Sequence, residues 1–182
     1  MGYPRIPQRF TVEILSSIQY GPSHKIAGSV VTYRTFNNQL RWYADFRLNS
    51  YDAKKNKYYA SFKGITLNED IALKLYEELL KLPEEMPILN DGEVRNLGRF
   101  KKYANTSVNL SLVNYDNTTK IDIREWTDSE INGYKGPTKK GVRFEYSMRE
   151  FLIGGLILMI NRMKDIHIEY AAKPGLDKNK VI

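Results

Sequence analysis

Apolar and polar residues alternate most clearly between residues 119 and 146. Two stretches, 121–124 and 142–145, have the two-residue period of half-buried β-strands, and a turn rich in Gly, Lys and Pro separates them. A helix-capping pattern, Ser147-x-x-Glu150, follows at once and precedes a strongly apolar run. This part of the chain is therefore predicted to form a strand, a basic turn, a strand and a helix.

The same pattern occurs earlier in the chain, at an offset of 77 residues. The shared positions are Asp45/Asp122, Arg47/Arg124, Lys63/Lys140 and Gly64/Gly141, and Val31 falls on Val108. Apolar positions superpose as well, because Ala44 and Phe46 fall on the two isoleucines of the later strand. The offset is too long for a solenoid repeat, and the pattern indicates a duplicated small domain.

Each repeat is predicted to contain four strands followed by a helix, which defines an α+β fold. The first repeat covers 10–83 and has its helix at about 69–82, where Pro83 stops it. The predicted linker is 84–96, and the second repeat covers 97–164 with a helix at about 148–164. Asn37-Asn38 is predicted as a hairpin turn, and residues 1–9 and 171–182 are predicted to be flexible tails.

The second repeat resembles the single-stranded DNA-binding domain of the transcriptional coactivator positive cofactor four. The resemblance covers 97–160 and rests on Ile121-Asp-Ile-Arg-Glu-Trp126, a Gly/Lys/Pro turn and Lys140-Gly-Val-Arg-Phe144. The first repeat matches through 43–47 and 62–67, although its turn lacks the Gly and Pro. Two such units in one chain are also similar to the Whirly architecture, whose Lys-Gly-Lys-Ala motif is absent. The resemblance implies curved antiparallel sheets, an internal pseudo-dimer and binding of single-stranded DNA.

Composition favours a polyanionic partner. The 182 residues carry 28 basic and 21 acidic side chains, a formal charge of +7. Tyrosines number 13 against 7 phenylalanines, which suits half-exposed stacking surfaces better than a dry core. No secretion signal is visible, and the longest apolar run, 151–160, is too short to span a bilayer. We therefore expect an intracellular protein that does not enter a membrane, in the cytoplasm of a bacterium or of a phage-infected host.

Candidate catalytic groups do not form a constellation. The chain has no cysteine, and His24 and His167 are isolated from other ligand-type residues. The stretch 136–141 is rich in Gly and Lys, but it lacks the spacing of a phosphate-binding loop and joins two strands. Asp122 and Glu125 are predicted on opposite faces of one strand. The sequence thus predicts a protein that is not an enzyme and that holds no metal or cofactor.

Cations, aromatics and small polar groups alternate on the predicted open faces of the sheets. Cations about 6–7 Å apart along a strand match the phosphates of an extended single strand, and aromatics between them offer stacking platforms. The candidates in the first repeat are Arg34, Arg41, Tyr43, Arg47 and Lys63, with Lys54, Lys55 and Lys57 on the turn. Those in the second are Lys120, Arg124, Trp126 and Arg143, with Lys135, Lys139 and Lys140 on the turn. The alternative is a solvated surface in which Asp45–Arg47 and Asp122–Arg124 are local ion pairs.

The resemblance assigns DNA contacts more narrowly. It carries them onto Lys139, Lys140, Arg124 and Trp126, with Lys63 and Arg47 as first-repeat partners. Asn49 stands where Trp126 stands in the second repeat, so the stacking role does not transfer there. The resulting hypothesis is a sequence-tolerant single-stranded DNA-binding protein for replication, recombination or transcription, of a size that suits a virus or phage. Alternatives are an RNA-binding protein using the same surface, and a structural module that binds other proteins.

The predicted second helix is apolar on all sides. We assign Leu152, Leu156 and Met159 to cover its own sheet. The apolar residues left over, which predict an oligomer interface, are Phe151, Ile153, Ile157, Leu158 and Ile160. The sequence therefore predicts a homo-oligomer, either a dimer or a tetramer.

Overall fold

The chain forms two antiparallel four-stranded sheets and two long helices, which confirms the predicted α+β class. The computed structural model describes residues 9–34, 40–128 and 133–171. The predicted turn at Asn37-Asn38 and nearly all of both predicted tails lie outside these ranges. The elements of the first half are β1 (Arg9–Gln19), β2 (His24–Arg34), β3 (Leu40–Asp52), β4 (Lys57–Leu67) and α1 (Glu69–Leu80). Those of the second half are β5 (Val94–Tyr103), β6 (Thr106–Tyr115), β7 (Thr118–Asp128), β8 (Lys135–Glu145), a short 3-10 turn (Tyr146–Met148) and α2 (Arg149–Ala171).

In each half the strands lie in sequence order, β1-β2-β3-β4 and β5-β6-β7-β8. Strand β5 begins inside the predicted linker, and α2 continues beyond residue 164, where its predicted end lay. Helix α1 begins where the sequence indicates, because the Asn68 side chain accepts a hydrogen bond from the Ile71 backbone N–H at 2.9 Å. Ile71, Leu75 and Leu79 form its buried stripe.

The third and fourth strands pair in the same register in both halves, with the same break. In β3 and β7 the register breaks at Arg47/Asn49 and at Arg124/Trp126, positions related by the offset of 77. Strands β2 and β6 are instead related by an offset of 82, because Val31 lies opposite Tyr43 while Val113 lies opposite Lys120. The ungapped match of Val31 to Val108 is therefore wrong. The connection between β2 and β3 is longer than the tight turn between β6 and β7, and this changes the offset.

Helix α2 crosses the sheet of the other half. It contacts β1, β2 and β3, whereas α1 contacts β5 as well as β3 and β4. The Trp42 ring of β3 lies 5.2 Å from the ring of His167, and Arg162 donates a hydrogen bond to Glu13 of β1 at 2.9 Å. The prediction that Leu152, Leu156 and Met159 cover the sheet of their own half is therefore wrong. These residues are buried in a core that both halves share.

The chain itself covers part of the apolar surface of α2 for which an oligomer interface was predicted. Ile153 and Ile160 are buried within the chain, because α2 lies between the first sheet and α1 and is covered on several sides. Phe151 and Ile157 are partly covered, and only Leu158 of the five is exposed, at 49%. Assembly into a dimer or tetramer stays a prediction, but the helix offers it a smaller apolar surface than the sequence indicated.

Helix α2 is the longest helix of the described residues, with 23 residues. No helix in the part of the chain that the structure describes is both long and apolar enough to cross a bilayer.

Two adjacent glycines in α2 provide a test of the packing of this helix against the first sheet. An added Cβ at Gly154 would meet nothing within 4 Å, whereas one at Gly155 would lie 3.1 Å from the Phe46 ring and from Ser16 Oγ. We expect Gly154→Ala to stabilise the protein by about 0.5–1 kcal/mol, since Ala favours helix over Gly. Gly155→Ala should be less stable than Gly154→Ala by about 1 kcal/mol or more, because its methyl group overpacks the core.

Urea denaturation followed by circular dichroism measures both variants. Equal stabilisation by the two substitutions would show that α2 does not press on the first sheet at Phe46.

Candidate nucleic-acid interface

A groove of about 1350 Å³ opens where the two halves meet, and both sheets line it. Strands β4 and β8 contact each other and bring the Lys-Gly segments of the two halves together. Its basic lining residues are Arg41, Arg47, Lys63, Lys102, Lys120, Arg124, Lys139, Lys140 and Arg143, and its aromatic ones are Tyr20, Tyr33, Tyr43, Phe62, Tyr103 and Tyr115. Among the described lining residues, Glu125 is the one acidic side chain.

Each half holds an arginine of the groove in the same forked ion pair. Arg47 donates two hydrogen bonds to Asp45, at 3.0 and 2.8 Å, and Arg124 donates two to Asp122, at 3.0 and 2.9 Å. Each guanidinium also donates to the carbonyl oxygen 14 residues further on, at 3.0 Å in the first half and 3.2 Å in the second. These arginines are thus structural members of the sheet as well as lining residues, as the ion-pair alternative predicted.

The ion pairs set the charge state of both arginines. Burial alone would lower the pKa of Arg47, but the hydrogen bonds and charge of Asp45 raise it above its ordinary value. Hydrogen bonds to Asp122 likewise raise the pKa of Arg124, against the effect of burial. Both guanidinium groups therefore stay charged, but the adjoining carboxylates neutralise most of their field.

Gly64 and Gly141 let the neighbouring strand approach closely. A Cβ at Gly64 would lie 2.7 Å from Arg47 Cζ and 2.9 Å from a backbone oxygen, and one at Gly141 would lie 2.8 Å from the Ile123 oxygen. No side chain fits at either position without a shift of backbone or of the arginine. Gly64 thus leaves room for the Arg47 guanidinium, and Gly141 leaves room for the backbone of β7 at Ile123 and Arg124.

Cations in the second half surround an aromatic ring. Lys120 Nζ lies 5.2 Å and Arg143 Cζ 4.8 Å from the centroid of the Tyr115 ring. Each also pairs with a carboxylate, Lys120 with Glu145 at 3.0 Å and Arg143 with Asp122 at 3.1 Å. These side chains are held in place, which makes this wall of the groove rigid.

Lys102 joins the two halves at the base of the groove. Its Nζ donates to the Thr66 carbonyl of β4 at 2.8 Å and to Glu125 of β7 at 2.9 Å. Lys140 shares the same carboxylate at a longer distance, 3.4 Å, and its side chain is 72% exposed. Glu125 is thus committed to two lysines, while the amine of Lys140 remains accessible.

Aromatic rings cluster in the first half. Tyr33 and Tyr43 meet edge to face, with their centroids 5.5 Å apart. Burial raises the pKa of the Tyr43 hydroxyl, and the nearby Tyr103 of the second half raises it further. The phenol therefore stays neutral. Phe62 is 98% exposed, although it lines the groove.

The structure brings nine of the fifteen predicted binding residues together around the groove. They are Arg41, Tyr43, Arg47, Lys63, Lys120, Arg124, Lys139, Lys140 and Arg143. The other six, Arg34, Lys54, Lys55, Lys57, Trp126 and Lys135, do not line it. Lys55 and Lys57 lie over the Tyr59 ring of the β3–β4 hairpin, and Lys135 pairs with Asp128 at 3.3 Å. Trp126 lies opposite Pro137 beyond the register break of β7 and is partly covered.

Six of the basic and aromatic lining residues were not predicted from the sequence. They are Tyr20, Tyr33, Phe62, Lys102, Tyr103 and Tyr115. Phe62 had a signal, since it occupies the position equivalent to the predicted Lys139. The other five lie at or near the ends of strands in both halves. The alternation of residues along a single strand does not identify them.

Metal-binding groups do not accompany the groove. Within the described ranges, no group of three or more His, Asp or Glu side chains could hold a metal ion.

Comparison with known proteins gives structural matches only. No protein-family model matches the chain, and no curated protein matches its sequence. Some solved structures show similarity to the chain over most of its length. The structure of WHY1 from Arabidopsis thaliana matches with 10% sequence identity and a TM-score of 0.37, covering 94% of this chain and 98% of that one. The plant transcriptional regulator PBF-2 matches with 8% identity and a TM-score of 0.36, over 96% of this chain and 92% of that one. WHY3 from Arabidopsis thaliana matches with 6% identity and a TM-score of 0.34, over 94% and 98%. Matches at this level assign no function to the chain.

Proposed function

We propose that this protein binds single-stranded DNA in the groove between its two sheets, with little preference for sequence. The observation that carries the proposal is the lining itself, in which nine cations and six aromatics from both halves surround one opening. Cations hold the phosphates of an extended strand, and aromatic side chains stack on its bases. A duplex keeps the faces of its bases inside the helical stack, so this combination favours an unpaired strand.

The cations available to phosphate are a subset of the lining. Arg47, Lys120, Arg124 and Arg143 each pair with a carboxylate. Lys63 and Lys139 are exposed, and no described carboxylate pairs with either of them. Together with Lys140, they form an exposed edge along β4 and β8, where phosphates would lie.

We also propose that the fold arose by duplication, and we propose which processes its binding serves. The two halves are copies of one unit, since their strand order and their register breaks in β3 and β7 correspond. Binding of this kind serves replication, recombination or transcription. RNA is the alternative ligand, because the groove presents the same cations and aromatics to either nucleic acid. A protein-interaction module is the alternative of a different class, and Leu158 and Ile168, exposed on α2, are the observation that favours it.

Salt dependence tests the proposal quantitatively. We expect an oligothymidylate to bind more tightly than a duplex of equal length, with an affinity that falls by about 0.7 log unit per contacted phosphate per log unit of salt. Replacing Lys63 and Lys140 together by Ala should reduce that slope by about 1.4, because two phosphate contacts are lost. Fluorescence anisotropy over a salt series measures both quantities.

The matched control replaces Lys74 and Lys81, which pair with Asp70 and Glu78 on α1 and do not line the groove. This control should leave the slope unchanged. Equal affinity for the duplex, or a flat salt response, would contradict the proposed function. Tighter binding of an RNA strand of the same sequence would reassign the ligand, and an absence of binding to all three would favour the protein-interaction module.

A further inference from the structure

The two walls of the groove differ in chemistry at equivalent positions. Three positions are the same in both halves, namely Arg47/Arg124, Lys63/Lys140 and Gly64/Gly141. Five others differ, and they are Tyr43/Lys120, Leu48/Glu125, Phe62/Lys139, Ile65/Val142 and Thr66/Arg143. In two of these pairs the first half has an aromatic ring where the second half has a lysine. In Thr66/Arg143 a neutral hydroxyl corresponds to an arginine. Ile65/Val142 is apolar in both halves, and the carboxylate of Leu48/Glu125 pairs with Lys102 and Lys140.

A further equivalent pair shows the same division. Tyr33 and Tyr115 are related by the offset of 82, and both rings line the groove. The Tyr33 ring packs edge to face against another aromatic, Tyr43, at 5.5 Å. The Tyr115 ring has Lys120 and Arg143 over it, at 5.2 and 4.8 Å. One tyrosine thus belongs to an aromatic cluster, and its counterpart is covered by cations.

The exposed ends of the two walls differ most clearly. Phe62 is 98% exposed, and a phenyl ring in that position gains nothing from the chain's own core. Its counterpart Lys139 is also exposed, and no carboxylate in the described part of the chain pairs with it. The two side chains stand at matched places on β4 and β8. They offer a stacking surface on one wall and a free positive charge on the other.

We infer that the two halves hold different parts of the same strand. The first half stacks bases on Phe62 and on the Tyr33–Tyr43 cluster, and the second half holds phosphates through Lys139. Lys120 and Arg143, each paired with a carboxylate, line the same wall. Lys63 and Lys140, which are common to both walls, contribute phosphate contacts equally. This inference rests on the proposed function, and it adds that the two halves are not interchangeable.

Two oligonucleotides of equal length separate the two roles. One is an oligothymidylate, and the other is an abasic strand with the same number of phosphates. Phe62→Ala should weaken binding of the oligothymidylate roughly 5- to 100-fold, the cost of one lost stacking contact, and leave its salt slope unchanged. It should change binding of the abasic strand little, because that strand has no base to stack.

Lys139→Ala should give the opposite result. It should lower the affinity for both strands by the same factor. The salt slope should fall by about 0.7, because one phosphate contact is lost. Lys63→Ala and Lys140→Ala serve as the matched pair, and they should reduce the slope equally. The exchange variant Phe62→Lys should increase the slope by about 0.7 and reduce the preference for thymidylate over the abasic strand.

These outcomes distinguish the two levels of the proposal. If the wild-type protein binds neither strand, the proposed function itself fails. If it binds but Phe62→Ala lowers the affinity for both strands by the same factor, the division of roles between the halves is overturned. It is also overturned if Lys139→Ala leaves the salt slope unchanged. A preference for thymidylate that falls with Phe62→Ala and is unchanged by Lys139→Ala supports it.

Discussion

Arg47→Ala should lower the free energy of unfolding by about 3–5 kcal/mol, because it breaks an ion pair whose carboxylate is fully buried. Asp45 has no exposed side-chain surface, and Arg47 donates two hydrogen bonds to it. The Thr66 hydroxyl donates another at 2.8 Å. Urea denaturation followed by circular dichroism measures the change.

The equivalent substitution in the second half is a natural control. Asp122 also receives a hydrogen bond from Arg143 at 3.1 Å, so this carboxylate keeps a cationic partner when Arg124 is removed. Arg124→Ala should therefore cost about 1–3 kcal/mol. Losses below about 0.5 kcal/mol for both variants would show that the arginines are ordinary surface cations.

Phe46→Ala should also cost about 3–5 kcal/mol, because it removes the ring that joins the two halves. Phe46 is fully buried, and its ring meets Phe144 of the second half edge to face, with centroids 5.6 Å apart. The Phe151 ring of α2 lies 6.3 Å away. Truncation leaves a cavity where the first sheet, the second sheet and α2 converge.

Phe62→Ala is the matched control, since it makes the same chemical change in the same half at a side chain that is 98% exposed. It should change stability by less than about 0.5 kcal/mol. Thermal and urea denaturation of the two variants make the comparison. Similar losses for both would contradict the shared core, and a large loss for Phe62→Ala alone would contradict its exposure.

The alternation along β3 and β7 identified which residues face the core. Ala44, Phe46, Ile121 and Ile123 are all fully buried, as the two-residue period indicates. The same alternation placed Asp45 and Asp122 on the open face, yet both are buried beneath their arginines. A period of two assigns each residue to one face of the sheet, but it does not show that an ion pair on the open face buries its carboxylate.

The sequence did not predict that α2 crosses to the sheet of the other half. The all-round apolar character of α2 correctly indicates that several sides are covered, and Ile153 and Ile160 are buried accordingly. The apolar periodicity of a helix does not specify which surface covers it, because its apolar stripe can pack against the apolar face of either sheet. The oligomer interface was overestimated for this reason, because the first sheet and α1 cover part of what another chain was expected to cover.

The groove was predictable only in part, for a related reason. Most of its cations lie on strands whose open faces the alternation identified. Tyr33 and Tyr115 join them across the sheets, and Lys102 reaches the groove from β5 by bridging β4 and β7. The contact between β4 and β8 creates the groove, and it depends on how the halves dock rather than on any local pattern.

Photo-crosslinking tests the central claim, that an unpaired strand lies in the groove, most directly. An oligonucleotide that contains 5-iododeoxyuridine crosslinks to aromatic side chains in contact with its bases, and mass spectrometry of the digested complex identifies the residues. We expect crosslinks at Phe62 and Tyr43, which line the groove. Crosslinks confined to Tyr51, Tyr58 and Tyr59 of the β3–β4 hairpin, which lies outside the groove lining, would contradict the claim.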